Sequence, residues 1–344
     1  MQRWTFLVFV LVFLFACEQQ VEQQPSPRPE PIAIEDIRIG FSMDTLVEDR
    51  WIKDRDLFKE AVEALGAEVV IEAANGDDVL QVAQAETLIQ SGIDVLVIVP
   101  HNAEATAAIV HKAHQAGIKV ISYDRLVKNA DIDLYVSFDN ERVGELQAEA
   151  MLQEVPQGNY VFIGGAATDN NAHLLKRGAF RVLQPAIDAG DVRVIYDQWT
   201  EDWTPVNARD NMREALEINA QQVDAVIASN DATGGGVQEA LAIYGLNGKV
   251  PIAGQDADLA GIRRIVAGEQ LMTVYKPIRH LSQTAAQLAV MLARGEEVET
   301  SSYVNNGKKE VPSVLIEPIA VMRDTIDSTV IQDGYHSYDD VYGN

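Results

Sequence analysis

Cysteine and histidine are scarce in this chain, which argues against an internal disulfide and against a metal site. The 344 residues include one cysteine, Cys17, and six histidines. Because a disulfide needs two thiols, no internal disulfide can form. His111 and His114 lie three residues apart, without the pattern of acidic partners that a zinc site would use. The sequence therefore predicts no metal site.

Motifs that bind nucleotides or activate a nucleophile are also missing. The chain has no Gly-x-x-x-x-Gly-Lys-Ser/Thr, no Gly-x-Gly-x-x-Gly after its first predicted strand and no Gly-x-Ser-x-Gly. No cofactor and no catalytic residue are predicted, and any ATP hydrolysis would belong to a separate subunit. Paired carboxylates can hydrolyse a glycosidic bond, so a glycoside-processing enzyme stays open as an alternative.

Positive charge is in short supply. Lysine and arginine together number 27 against 52 acidic residues, which gives a formal net charge of −25. Such a surface repels the phosphates of nucleic acids and the headgroups of anionic lipids, so neither is an expected partner. The hydrophobic share of 47% and the charged share of 23% are typical of a globular protein.

The one long hydrophobic run lies at the start of the chain. Arg3 precedes an apolar stretch over residues 4–16, which predicts a signal peptide over residues 1–16. Leu14-Phe15-Ala16-Cys17 is similar to a bacterial lipobox, although Phe15 is bulkier than that pattern prefers. We therefore expect Cys17 to be lipidated and residues 17–33, rich in Gln, Glu and Pro, to form a tether. The alternative is an ordinary signal peptide followed by an incidental cysteine.

Strand and helix patterns alternate from residue 34 onward, which predicts α/β architecture with parallel sheets and helices on both faces. The pattern restarts part-way along the chain. Residues 94–100 and residues 224–230 each begin with aspartate and continue with a mainly apolar run. Two further similar strands, about 130 residues apart, end at Asp124 and Asp256. This repeat predicts two doubly wound lobes of similar topology. Ligands of such sheets bind outside the carboxyl ends of the strands, so the two aspartates predict one polar site between the lobes.

The residues at predicted strand ends combine carboxylates, cations, amides and indoles. A sugar hydroxyl is both donor and acceptor and can bridge such groups, while the apolar face of a sugar ring can lie on an indole. Each residue alone could instead be a helix cap or a surface ion pair. The candidates are Arg50, Trp51, Asp124, Arg125, Asn170, Asn171, Trp199, Trp203, Asn230, Asp231, Gln255, Asp256, Asp258 and Lys276.

Longer motifs surround these candidates. They include Tyr123-Asp124-Arg125, Asp169-Asn170-Asn171-Ala172, Ala228-Ser229-Asn230-Asp231-Ala232-Thr233, Gly254-Gln255-Asp256-Ala257-Asp258 and Met272-Thr273-Val274-Tyr275-Lys276-Pro277-Ile278. Through them, residues 35–336 resemble the type I periplasmic sugar-binding proteins of bacterial ABC importers, and within that family the xylose-binding branch.

The resemblance implies a domain organisation. Two lobes should be joined by a hinge of three crossovers, near residues 139–140, 275–277 and 303–311. The N-terminal lobe is then expected over residues 34–139 plus 277–305. The C-terminal lobe is expected over residues 140–276 plus 306–336.

The resemblance also assigns roles in the site. Arg50, Asp124 and Arg125 should bind sugar hydroxyls from the first lobe. The second lobe and its hinge edge should contribute Asn171, Asn230, Asp256 and Lys276. Trp203 should stack on the sugar ring, and Trp51 is a weaker candidate for the opposite face.

The function implied is that of a substrate-binding component, with no covalent step. It should bind D-xylose or a related monosaccharide by hinge closure and deliver it to an ABC permease served by a separate ATPase subunit. The protein should be exported to the periplasm or the outer face of the cytoplasmic membrane, and should touch membrane only through the lipid anchor. A periplasmic sugar sensor with the same site stays open as a second alternative.

Overall fold

The computed structural model describes Met1 and residues 32–300 and 302–343. The predicted signal peptide, Cys17 and most of the predicted tether lie outside the described residues. None of the helices in the described part of the chain is long and apolar enough to cross a membrane.

The first sheet forms the core of the N-terminal lobe. Its strands, numbered along the chain, are β1 (Arg38–Met43), β2 (Glu68–Ala73), β3 (Val95–Ile98), β4 (Lys119–Tyr123), β5 (Leu134–Phe138), β11 (Ser302–Asn305) and β12 (Glu310–Ile316). They are ordered β2-β1-β3-β4-β5-β12-β11, and only the β11–β12 pair is antiparallel. One face packs against α1 (Asp49–Ala64) and α9 (Ile278–Ala293), and the other against α2 (Asp78–Gln90) and α3 (Ala107–Gln115).

The second sheet is built in the same way. Its strands are β6 (Gly158–Ile163), β7 (Val192–Gln198), β8 (Ala225–Ala228), β9 (Ile252–Ala253), β10 (Met272–Tyr275) and β13 (Ile319–Met322). They are ordered β7-β6-β8-β9-β10-β13, with β13 antiparallel to its neighbour. Helices α4 (Asn140–Glu154) and α5 (Asn170–Ala189) cover one face, and α6 (Pro205–Ile218) and α7 (Asp231–Ile243) the other. Helices α8 (Leu259–Ala267) and α10 (Tyr338–Tyr342) flank a smaller core at the edge of the lobe.

The first five strands of each lobe follow one order, second-first-third-fourth-fifth. This confirms the prediction of two doubly wound lobes of similar topology. Strands β4 and β9 occupy equivalent fourth positions, and the chain reaches Asp124 and Asp256 just beyond them. Both aspartates have left-handed backbone, with φ of 60° and 84°. Aspartate tolerates this conformation better than most residues, because its short polar side chain can bond to nearby backbone.

Helix capping places polar residues at the same edge of the sheets. The Asn230 side chain accepts a hydrogen bond from the Thr233 amide at the start of α7, and Thr233 Oγ1 accepts one from the Asn230 amide in return. The Asp169 carboxylate caps α5 by accepting from the Asn171 amide at 2.8 Å. Each cap satisfies an N–H group that has no partner within its helix. Capping and site formation therefore use the same loops.

Within residues 32–300 and 302–343 the chain passes between the sheets three times. The structure corrects one of the three predicted crossovers. The crossovers after β5 and β10 lie at residues 139–140 and 276–277. The crossover predicted at residues 303–311 is wrong, because β12 pairs in parallel with β5 and so belongs to the first sheet. Residues 303–311 instead contain the β11–β12 hairpin, with Gly307 at φ 95° in its turn. The true third crossover is Glu317–Pro318, so residues 306–316 belong to the first lobe.

Candidate functional site

A cavity lies between the carboxyl ends of the two sheets. All nine residues assigned to the ligand site from the sequence line it: Arg50, Trp51, Asp124, Arg125, Asn171, Trp203, Asn230, Asp256 and Lys276. Four further residues complete the lining: Glu48, Asp169, Gln255 and Asp258. The carboxyl ends of the two sheets thus meet at one polar cavity.

Arg50 is the centre of the charge network. Its Nε donates to Asp54 Oδ2 at 3.0 Å, one turn further along α1. Its two terminal nitrogens donate to Asp124 of the first lobe and, at 3.3 Å, to Asp256 Oδ1 of the second. Lys276 Nζ lies 2.7 Å from the same Asp256 oxygen. Arg50 therefore bonds to the aspartates at both of the equivalent strand ends.

Burial makes this network sensitive to any lost partner. Arg50 is 4% exposed, Asp124 2% and Lys276 3%. Burial alone would raise the pKa of Asp124, but the Arg50 and Lys276 charges outweigh it and lower that pKa. At Asp54 burial prevails over Arg50 and raises the pKa to about 6. Removing one member of such a network leaves a buried charge without compensation.

Arg125 forms a second link between the lobes. Its Nε lies 2.8 Å from Asp169 Oδ2 of the second lobe, and its Nη1 donates to Asp44 of the first. Asp44 also pairs with His101 Nδ1 at 2.8 Å. Asn171 adds a third link, since its Nδ2 donates to both Oδ1 and the backbone oxygen of Asp124 at 3.1 Å. The structure therefore shows the two lobes in contact across the cavity.

Two tryptophans lie in the cavity wall in different settings. Trp203 is 6% exposed and sits in a tight turn, with φ of 58°. Its indole lies directly on Gly165, where an added Cβ would come within 2.2 Å of the ring. Trp51 instead contacts cations: the guanidinium carbons of Arg50 and Arg125 lie 4.4 and 5.1 Å from its ring centroid. Cation–π attraction of this kind holds the two arginines in place.

Several buried polar atoms of the lining have no hydrogen-bond partner among the described residues. They are Glu48 Oε2, Asn171 Oδ1, Trp203 Nε1, Gln255 Oε1 and Asp258 Oδ1. Buried polar atoms are nearly always paired, so five orphans around one cavity indicate a ligand that pairs with them. Four of the five are acceptors. The cavity is therefore suited to a ligand that donates many hydrogen bonds, as a polyhydroxylated molecule does.

Burial raises the pKa of the Glu48 carboxyl group from its ordinary value, and raises that of Asp258 well above its ordinary value. At Asp258 the neighbouring Asp231 and Asp256 charges raise it further. A carboxyl group in such surroundings is stabilised either by a proton or by hydrogen-bond donors from a ligand.

Some candidates from the sequence lie outside the cavity lining. Trp199 packs 4.7 Å from both His173 and the Lys176 ammonium, and Asn170 opens helix α5. Asp231 is a buried structural group, which accepts from the Thr273 hydroxyl at 2.9 Å and from the Asp258 amide at 2.9 Å.

Glu48 and Asp169 are lining residues that the sequence assignment missed. Glu48 is the residue before α1, and Asp169 is the residue before α5. Glu48 lies in the loop that follows the carboxyl end of β1. That position alone could have marked it as a candidate, because ligands bind outside the carboxyl ends of such strands.

Comparison with known proteins identifies the family. A family model described as a periplasmic binding protein domain matches residues 39–297. The chain belongs to the periplasmic binding protein family. This periplasmic binding protein is 52% identical over 301 residues to the D-xylose-binding periplasmic protein of Escherichia coli (strain K12), covering 88% of this chain and 91% of the relative. The resemblance stated from the motifs is confirmed.

Two further relatives extend the comparison of this periplasmic binding protein. It is 34% identical over 323 residues to the multiple sugar-binding periplasmic receptor ChvE of Rhizobium radiobacter, with coverages of 88% and 91%. Among solved structures, a carbohydrate transporter solute binding protein from Chloroflexus aurantiacus in complex with D-glucose superposes with a TM-score of 0.82. It is 34% identical and the match covers 88% of this chain and 97% of that one.

Proposed function

We propose that this protein is the substrate-binding component of a sugar ABC importer, and that it binds D-xylose or a closely related monosaccharide. The observation that carries the proposal is the cavity itself. Its charged groups come from both lobes, and five buried polar atoms around it lack partners. Relatives whose names state D-xylose binding support the choice of sugar.

Recognition follows from the pairing of carboxylates with cations. A sugar hydroxyl placed beside Asp124 and Arg50 donates to the carboxylate and accepts from the guanidinium. Asp256 and Lys276 offer the same combination from the other lobe, 2.7 Å apart. Arg125, Asn171 and Asn230 supply further amide and cationic contacts. The Trp203 indole offers an apolar face for the C–H groups of the ring.

Closure of the hinge follows from the division of these groups between the lobes. A ligand favours whichever conformation gives it more contacts, and only the closed form gives it both halves of the site. The three crossovers at residues 139–140, 276–277 and 317–318 are the segments that would bend. The closed, sugar-bound protein is the form that we propose a membrane permease recognises.

Catalysis is not part of the proposal. Glu48 and Asp258 are carboxyl groups of raised pKa in the cavity, which is the kind of group a glycosidase uses as its acid. Incubation of the pure protein with aryl xylosides separates the two functions. We expect no product, whereas release of the aglycone at catalytic rates would establish the enzyme instead.

The binding proposal is tested by calorimetric titration of the protein with D-xylose, L-arabinose, D-ribose and D-glucose. We expect saturable one-to-one binding, tightest for D-xylose, because a site built to bond each hydroxyl rejects an isomer that leaves a buried group unpaired. Absence of binding to every sugar would overturn the proposal. Loss of D-xylose uptake on deletion of the gene would separate an importer from a sensor.

The lipid anchor at Cys17 is a separate proposal, resting on the lipobox-like residues 14–17. Replacing Cys17 with serine removes the thiol that would carry the lipid. We expect the wild-type protein in the membrane fraction of cells and Cys17→Ser in the soluble fraction. Equal distribution of the two proteins would show that the cysteine is incidental.

Gly165 provides a test of the indole position. An alanine Cβ there would overlap the Trp203 ring, so Gly165→Ala should displace the indole and weaken D-xylose binding by about tenfold, a typical cost of overpacking. Gly164→Ala is the matched control, since its Cβ would meet Trp199, outside the cavity, at 2.7 Å. Calorimetry should show a large loss of affinity for Gly165→Ala alone. Equal losses for both variants would refute the role of Trp203.

A further inference from the structure

The last part of the chain returns to the loop that carries Asp256. After β13, residues 323–343 pack along the edge of the second lobe. There the Tyr335 hydroxyl donates to the backbone oxygen of Asp256 at 3.2 Å. His336 Nε2 donates to the backbone oxygen of Ala257 at 2.7 Å, and since a carbonyl only accepts, this nitrogen carries the proton.

The two carbonyls belong to residues in an uncommon conformation. Asp256 and Ala257 have φ of 84° and 51°, in the left-handed region that alanine in particular seldom adopts. Such backbone persists only where the surroundings hold it. Tyr335 and His336 contribute one hydrogen bond to each carbonyl. The Asp256 and Ala257 amides also donate, to the Val274 backbone oxygen at 2.8 Å and to Thr273 Oγ1 at 3.2 Å. The conformation in turn directs the Asp256 carboxylate at Arg50 and Lys276.

Tyr335 also touches the elements that carry the other charged groups. Its ring lies 5.0 Å from that of Tyr275, the residue before Lys276. Its backbone oxygen accepts from Lys53 Nζ at 3.0 Å, and the same ammonium lies 3.9 Å from its ring centroid. Lys53 belongs to α1, less than one turn from Arg50. Tyr335 thus contacts the loop of Asp256, the last residue of the strand before Lys276 and the helix of Arg50, without lining the cavity.

We infer that Tyr335 is a positioning residue for sugar binding, which holds the Asp256 loop through its hydroxyl and sets the carboxylate against Arg50 and Lys276. The inference rests on the proposed function, because Asp256 matters to affinity only if the cavity binds sugar. It assigns to the C-terminal segment a part in the site that the lining residues alone do not show.

Tyr335→Phe tests the inference, since it removes the hydroxyl and keeps the ring. Titration of the full chain with D-xylose should show an affinity about fivefold weaker, the usual effect of one lost hydrogen bond. Tyr342→Phe is the matched control: its hydroxyl lies on the same segment but donates to Asp327 at 2.9 Å. Its affinity should equal that of the wild type. Both sugar-free variants should keep the wild-type circular dichroism spectrum.

A double-mutant cycle distinguishes positioning from general loosening. In an Asp256→Asn background, Tyr335→Phe should have little further effect, because the carboxylate that it positions is already gone. The inference is overturned if Tyr335→Phe leaves affinity unchanged, if Tyr342→Phe weakens it equally, or if the fivefold loss persists in the Asp256→Asn background. Absence of D-xylose binding by the wild type would instead refute the proposed function.

Discussion

Asp256→Asn is expected to weaken D-xylose binding by on the order of 30- to 1,000-fold, equivalent to about 2–4 kcal/mol. The substitution keeps the shape of the side chain and removes its charge. Asp256 Oδ1 pairs with Arg50 at 3.3 Å and with Lys276 at 2.7 Å, and all three groups are buried. Without the carboxylate, Arg50 and Lys276 each lose the ion pair with Asp256, and both cations stay buried.

Calorimetry of the purified variant measures this loss, with the sugar-free unfolding temperature recorded beside it. Asp197→Asn is the control from the same lobe, because Asp197 pairs with Lys176 at 2.6 Å at a partly exposed position outside the cavity. Its affinity should match the wild type. If Asp256→Asn bound D-xylose as tightly as the control, the assignment of Asp256 to the site would be wrong.

Trp203→Ala is expected to weaken binding by about 30- to 150-fold, or about 2–3 kcal/mol, as for a buried aromatic at the centre of a binding site. The substitution removes the apolar face against which the ring would lie. It also removes Nε1, a buried donor with no partner among the described residues. Trp203→Phe, which keeps an aromatic face, should recover part of the affinity.

Trp199→Ala is the comparison for this second substitution. Trp199 also follows β7 but packs on His173 and Lys176 rather than in the cavity. Trp199→Ala should leave the dissociation constant for D-xylose within about twofold of the wild-type value, as is usual for a substitution away from a binding site. A larger loss for Trp199→Ala than for Trp203→Ala would reverse the assignment of the stacking indole.

The strand ends show how much of the site was predictable. Asp124 and Asp256 could be paired from sequence, because buried parallel strands leave a clear apolar signal and the two lobes repeat the same strand order. The carboxyl-end rule then placed both aspartates at one site. The roles of Arg50, Asn171, Trp203 and Lys276 came from the resemblance to a family, because no local pattern distinguishes a ligand-binding amide from a helix cap.

Other features depend on contacts that a local pattern does not contain. Arg50 bonds to Asp256, which lies 206 residues away, and only the folded chain shows this contact. The prediction of a third crossover at residues 303–311 is wrong because it followed the family resemblance, and no local pattern shows which sheet receives β12. The role of Tyr335 could not be predicted from sequence, since its hydroxyl donates to a backbone oxygen and does not line the cavity.

A crystal structure of the protein with D-xylose tests the central claim most directly, because the claim concerns where the sugar lies. We predict one sugar between the lobes, with hydroxyls on Asp124 of the first and Asp256 of the second, its ring against Trp203, and partners for the unpaired atoms of Asn171 and Gln255. A sugar bound to one lobe alone, or outside this cavity, would contradict the account.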